Sequence, residues 1–133
     1  MAYRFSDYGD IVLDHFDNPR NVGEFDPPDA VGHAGNPVCG DTLVLTLRVR
    51  GERIEAARFR ASGCGASIAS SSMTTVLLTG ITLEQARAIT NARVAEALGG
   101  LPPAKMHCSV LAEEAIRSAL ADLDRRRREG LTA

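Results

Sequence analysis

The chain predicts an α+β domain, a small antiparallel three-stranded sheet with helices packed on one face, and two observations carry that prediction. Leu43, Leu45, Leu47 and Val49 alternate with Val44, Thr46, Arg48 and Arg50, and after Gly51-Glu52 a second alternating run carries Ile54, Ala57, Phe59 and Ala61. Period-two patterning on both sides of a short turn is a hairpin, so the sheet is antiparallel. From Ala66 onward the period lengthens, through Ile68, Met73, Val76 and Leu77 to a stop at Gly80, and that spacing is helical.

The other elements follow in order. Ser6 or Asp7 is positioned to cap a first helix carrying Ile11-Val12-Leu13 and His15-Phe16, which Pro19 terminates because proline cannot continue the backbone ladder. A loop with Pro27-Pro28 leads to a short strand near Ala30 to His33. Thr82 caps a helix opened by Leu83-Glu84-Gln85, a short helical stretch spans Val94 to Leu98, and Gly99-Gly100 ends it. The last helix begins near Cys108 and runs to about Arg128, with Ala112, Ile116, Ala119, Leu120 and Leu123 on its buried face. The Ser70-Ser71-Ser72 run has poor helix propensity, so packing must hold that helix.

At 133 residues the chain suffices for one domain, with a core expected over about 8–123 and a basic helix end over 124–133. A net charge of −2 argues against a broad electrostatic commitment to nucleic acid or membrane, and no apolar run reaches the roughly 20 residues of a membrane-spanning helix. The N-terminal residues lack the apolar stretch of a signal peptide. An odd number of cysteines, three, then points to a cytoplasmic protein with reduced thiols rather than a disulfide framework.

Those cysteines carry the chemistry. Cys39 sits in Pro37-Val38-Cys39-Gly40-Asp41, Cys64 in Gly63-Cys64-Gly65 at the mouth of the serine-rich helix, and Cys108 follows His107 at the start of the last helix. A helix N-terminus favours negative charge, so Cys64 and Cys108 are expected to be stabilised as thiolates. Gly40, Gly63 and Gly65 remove side chains that would block a metal's approach. No C-x₂-C knuckle is present, which argues against a zinc finger or ribbon. On spacing alone, buried structural thiols stand beside a soft-metal or sulfur-handling site at even odds, since free cysteine is among the most buried residue types.

Four motifs decide between these readings. Asn18-Pro19-Arg20-Asn21-Val22-Gly23, Cys39-Gly40-Asp41, Gly63-Cys64-Gly65-Ala66-Ser67-Ile68-Ala69-Ser70-Ser71-Ser72 and Leu101-Pro102-Pro103-Ala104-Lys105-Met106-His107-Cys108-Ser109 resemble, in order, the signatures of the U-type iron–sulfur scaffold family, comprising IscU and the N-terminal domain of NifU. The resemblance implies a non-enzymatic scaffold. A transient [2Fe-2S] cluster would be assembled from iron and desulfurase-derived sulfur on Cys39, Asp41, Cys64, His107 and Cys108, then passed to apo-proteins. It implies Cys108 as persulfide acceptor, Asp41 as the labile or release-promoting ligand, and zinc as an occupant of the same site in isolated protein. It also implies a cysteine desulfurase, a ferredoxin and a frataxin-like protein as partners. An Hsp70-type chaperone with its J-type co-chaperone would dock on Leu101, Pro102, Pro103, Ala104 and Lys105, although the family motif usually reads valine where this chain has Ala104. Tyr8 matches a tyrosine that mediates self-association in that family, which would make a homo-oligomer.

Blander readings remain beside these. Asp41 can be a turn or strand cap, Lys105 a solvated lysine, and Arg125–Arg128 a solvated helix end or a docking patch for an acidic partner. His15 and His33 are expected to be non-ligands. Two other functions compete with the scaffold: a thiol enzyme with Cys108 as nucleophile and His107 as base, and a zinc-stabilised interaction module. The dyad is disfavoured because adjacent residues at a helix start project in different directions and no third orienting group is evident.

Overall fold

The computed structural model describes residues 8–36 and 40–131. In chain order the elements are α1 (Asp10–Asp17), β1 (Ala30–Asn36), β2 (Asp41–Arg50), β3 (Arg53–Ser62), α2 (Gly65–Leu78), α3 (Leu83–Arg87), α4 (Asn91–Ala97) and α5 (His107–Arg128), with a 3-10 turn at Pro103–Lys105 leading into α5. The strands form one antiparallel sheet in the order β1-β2-β3, as the patterning predicts. Strand β1 runs three residues further than the sequence suggests, to Asn36, because Asn36 pairs with Asp41 at the mouth of the β1–β2 connection. Ser6 and Asp7 lie outside the described residues; α1 has Gly9 at its N-cap, without a side-chain cap. Thr82 caps α3 through a reciprocal pair of hydrogen bonds with Gln85.

The alternation of β2 and β3 sorts their two faces. Leu43, Leu45, Leu47, Ala57 and Phe59 are buried against Ala115, Ile116, Ala119, Leu120 and Leu123 of α5 and Leu78 of α2. On the opposite face, the guanidinium carbons of Arg48 and Arg58 lie 5.0 and 4.5 Å from the centre of the Phe25 ring. A second cluster joins α1, α2, α4 and α5 through Val12, Ala69, Met73, Val94, Leu98 and Ala112.

Contact between β1 and α5 is close enough to require Gly32. A Cβ there would stand 2.6 Å from Ala119 N and 2.8 Å from Ala119 Cβ, and would also strike the Ala115 carbonyl. Side chains of α5 reach back over the strand: Val31 N donates to Asp122 Oδ2 at 2.8 Å and His33 N to Ser118 Oγ at 3.0 Å. At the other margin of the sheet, Phe59 N donates to Asn21 O and Gly23 N to Phe59 O, so residues 21–23 lie alongside β3.

Helix α2 is held by packing, as its serines require. Its hydroxyls bond back along the helix, Ser71 to Ser67 O, Thr74 to Ser70 O and Thr75 to Ser72 O, each at 2.7–2.8 Å. Ser72 Oγ also accepts from Arg20 N and meets His15 Nδ1, both at 2.8 Å. That contact accounts for His15: it is a buried histidine joining α1 to α2, and burial lowers its pKa. Among the described residues, no helix is long and apolar enough to cross a membrane.

Candidate metal centre

Three element starts converge at one end of the molecule. Asp41 is the first residue of β2, Cys64 is the N-cap of α2, and His107-Cys108 open α5. The sheet register brings the first two together, because Thr42 pairs with Ser62 and Gly63 follows immediately. Gly63 makes the approach possible, since a Cβ there would lie 2.5 Å from Asp41 Oδ1 and 2.8 Å from its Cγ. The glycines are therefore not a uniform clearance for a metal. Gly65 admits the Phe16 ring, 3.2 Å from where its Cβ would stand, and a Cβ on Gly40 would meet nothing within 4 Å among the described residues.

The donor atoms are near one another. Cys64 Sγ and Cys108 Sγ are 3.8 Å apart, Cys108 Sγ is 3.6 Å from His107 Nε2, and His107 Nε2 is 3.6 Å from Asp41 Oδ2. One donor atom each from Asp41, His107 and Cys108 lie within 4.8 Å of one another, a spacing that a single metal ion can span. His107 Nδ1 is 3.1 Å from the Ala104 carbonyl. A carbonyl only accepts, so Nδ1 carries a proton there, and Nε2 is the ring nitrogen that faces Asp41 and Cys108.

The two described thiols are electrostatically unlike. Burial acts to raise the pKa of Cys64, but the Ser67 backbone amide and hydroxyl, the Cys108 side chain and the Lys105 charge together bring it below the ordinary value. Cys108 is pushed up to about 12, first by burial and then by the neighbouring negative charges of Cys64 and Asp41, against a lowering contribution from the Ser67 hydroxyl. The expectation that both thiolates are stabilised thus agrees in direction for Cys64 and not for Cys108, where burial beside Cys64 and Asp41 raises the pKa. Burial also opposes the charge on Lys105, yet Cys64, Tyr8, Cys108 and Asp41 outweigh it and raise the lysine's pKa. In the ligand-free chain, alkylation with iodoacetamide at mildly alkaline pH is expected to modify Cys64 well before Cys108, as peptide mass spectrometry would show; equal rates would contradict this ordering.

The structure therefore brings together Asp41, Cys64, His107 and Cys108, with Lys105 in electrostatic range. Cys39 lies outside the described residues. Leu101 packs against the α1–α2–α4–α5 cluster, Pro102 is half-buried, and Pro103 and Ala104 are exposed. His33 is exposed on β1, away from these donors. Contrary to the expected divergence at a helix start, His107 Nε2 reaches Cys108 Sγ, and the Ala104 carbonyl is an orienting group. A buried thiol at about 12 is nonetheless poorly prepared as a nucleophile. Sequence reasoning missed Ser67, whose Oγ donates to Asp41 Oδ2 at 2.7 Å and lies 3.3 Å from Cys108 Sγ. The available signal was a hydroxyl three residues after an N-cap cysteine, one helical turn further along.

Fold and site together define an α+β domain that presents two thiols, an imidazole and a carboxyl group at one end. The chain belongs to the NifU-like N terminal domain family, which matches residues 7–130. It is 53% identical over 119 residues to the iron-sulfur cluster assembly scaffold protein IscU 1 of Archaeoglobus fulgidus, covering 90% of this chain and 78% of the relative. It is 49% identical over 124 residues to the iron-sulfur cluster assembly scaffold protein IscU of Escherichia coli, covering 90% and 96%. The fold is shared with the N-terminal part of a nitrogen-fixing NifU-like protein from Brucella abortus, at TM-score 0.73 and 20% identity over 89% of this chain and 94% of that one.

Proposed function

We propose that this protein is a scaffold on which an iron–sulfur cluster is assembled and from which it is passed to acceptor proteins. The observation that carries the reading is the approach of Asp41, His107 and Cys108 donor atoms to within 4.8 Å, with Cys64 Sγ 3.8 Å from Cys108 Sγ. Membership of the family and the names of its relatives support it. Soft thiolates with an imidazole and one carboxylate suit iron, sulfide-bridged iron and zinc far better than magnesium or calcium. The cluster is the protein's cargo, and we read it as [2Fe-2S], with Cys39 joining the described ligands and zinc an alternative occupant.

The unlike thiols suggest an order of events. Burial and its anionic neighbours disfavour the Cys108 thiolate, and iron held by Asp41 and His107 would supply a compensating positive charge. The Cys108 thiolate then attacks the outer sulfur of a desulfurase persulfide; a new S–S bond forms on Cys108 and the desulfurase thiolate leaves. Reduction of this persulfide requires an external electron donor, for which a ferredoxin is suited. Lys105 beside the thiols offsets the negative charge that accumulates. The exposed Pro103-Ala104 segment, next to Lys105, is the proposed docking element for the desulfurase or for an Hsp70-type chaperone. A reducing compartment such as the cytoplasm suits the free thiols of Cys64 and Cys108.

Anaerobic reconstitution with iron, cysteine, a cysteine desulfurase and a reductant tests the proposal. A labile visible chromophore with equal iron and sulfide, transferable to an apo-ferredoxin, is the expected result. Failure to form any cluster, with zinc that resists exchange, would favour a zinc-stabilised module instead. Asp41→Ala is expected to slow cluster transfer by about tenfold or more, because the cluster loses a carboxylate ligand more labile than thiolate. Transfer at the wild-type rate would remove Asp41 from the release step.

A further inference from the structure

Most hydroxyls of α2 are spent on the helix itself or on α1, but that of Ser67 is directed at the candidate metal centre. Ser67 is buried in the first turn of the helix, 4% exposed. Its Oγ lies 2.7 Å from Asp41 Oδ2, 3.3 Å from Cys108 Sγ and 3.8 Å from Cys64 Sγ. A single hydroxyl therefore touches three donor groups that arrive on three different elements.

Its chemistry restricts what it can do there. A hydroxyl has one proton to give and two lone pairs, and a carboxylate only accepts, so the proton is committed to Asp41 at the shorter distance. The oxygen of Asp41 that receives this bond, Oδ2, is also the one 3.6 Å from His107 Nε2, hence the one facing the proposed metal position. Behind the carboxyl group stands Gly63, whose missing side chain leaves 2.5 Å between its Cβ position and Asp41 Oδ1. Asp41 is thus confined between the backbone of Gly63 and the hydroxyl of Ser67, with little freedom to rotate.

We propose that Ser67 is a positioning residue for the metal centre, holding Asp41 Oδ2 in ligating orientation by a hydrogen bond that persists when the metal is bound. This rests on the metal-site reading above. Partners of this kind orient a ligand that would otherwise sample several rotamers, and their loss typically lowers metal affinity about 10- to 100-fold.

Cobalt(II) is a suitable probe, because thiolate ligation gives charge-transfer bands and the visible bands report coordination number. Cobalt affinity, by competition with a chelator, and absorption spectra are measured for wild type, Ser67→Ala, Asp41→Ala and the double variant, with thermal unfolding of each recorded alongside. Ser67→Ala is expected to weaken cobalt binding about 10- to 100-fold and to shift the visible bands towards those of Asp41→Ala. In the Asp41→Ala background the same substitution is expected to cost less than about threefold, because Ser67 acts through Asp41. Equal losses in both backgrounds, or a Ser67→Ala spectrum identical to wild type, would overturn the proposal. Should Ser67→Ala unfold, Gly63→Ala, which displaces Asp41 from the opposite side, is expected to reproduce the spectral shift, and an unchanged spectrum there counts against the proposal. If wild type binds cobalt without thiolate bands, the metal-site reading itself has failed, a result distinct from a Ser67-independent site.

Discussion

Cys108→Ser is expected to eliminate sulfur acceptance and to lower iron or cobalt affinity by on the order of 100-fold or more. Loss of a hydrogen-bond partner to a ligand already costs up to about 100-fold, and here the ligand atom itself is removed. Serine keeps the size and the position in the first turn of α5 but offers an oxygen that does not ionise at physiological pH and cannot form a persulfide. The fold should tolerate the change, since Cys108 is buried beside the polar Ser67 and His107 rather than within the apolar clusters. Persulfide detection by mass spectrometry after incubation with a desulfurase and cysteine checks it. Sulfur retained on the Cys108→Ser variant at wild-type levels would move the acceptor role to another thiol, with Cys64 as the more acidic described candidate.

The second large effect is structural. Gly32→Val is expected to destabilise the protein by at least ~3 kcal/mol and to lower the unfolding midpoint by on the order of 10 °C. The obstacle is backbone: Ala119 N and the Ala115 carbonyl both lie too close to any Cβ, and neither can move without shifting α5. Relief comes only by separating β1 from α5, which breaks the bonds of Val31 to Asp122 and His33 to Ser118. Against a total stability of about 5–15 kcal/mol this is a severe loss. Thermal unfolding by circular dichroism gives the answer, and a midpoint within 2–3 °C of wild type, roughly the shift for 1 kcal/mol, would show that the interface yields easily.

The fold was readable where one local period dominated. Leu43, Leu45 and Leu47 announce β2, the change of spacing at Ala66 announces α2, and Thr82 with Gln85 marks the start of α3. The end of β1 was not readable, because Ala34, Gly35 and Asn36 have weak strand preference and gain their extended form from pairing with β2. At the site, Asp41, Cys64, His107 and Cys108 were singled out by residue type and motif. What escaped was their environment. The raised pKa of Cys108 depends on burial and on two anionic neighbours brought from other elements, and no local pattern encodes that sum. Ser67 was hidden among other α2 hydroxyls, and only the arrival of Asp41 and Cys108 distinguishes it.

The margins of the sheet have a consequence for handling the protein. Outward-facing amides of β1 at Val31 and His33 are occupied by side chains of α5, and both backbone groups of Phe59 on β3 are occupied by residues 21–23. These positions are closed to strand exchange between molecules, the usual route from an open sheet edge to aggregates. In aerated solution, where dioxygen can oxidise the half-buried Cys64 thiol to an intermolecular disulfide, a thiol reductant, rather than a chaotrope, is therefore the reagent expected to restore monodisperse solutions.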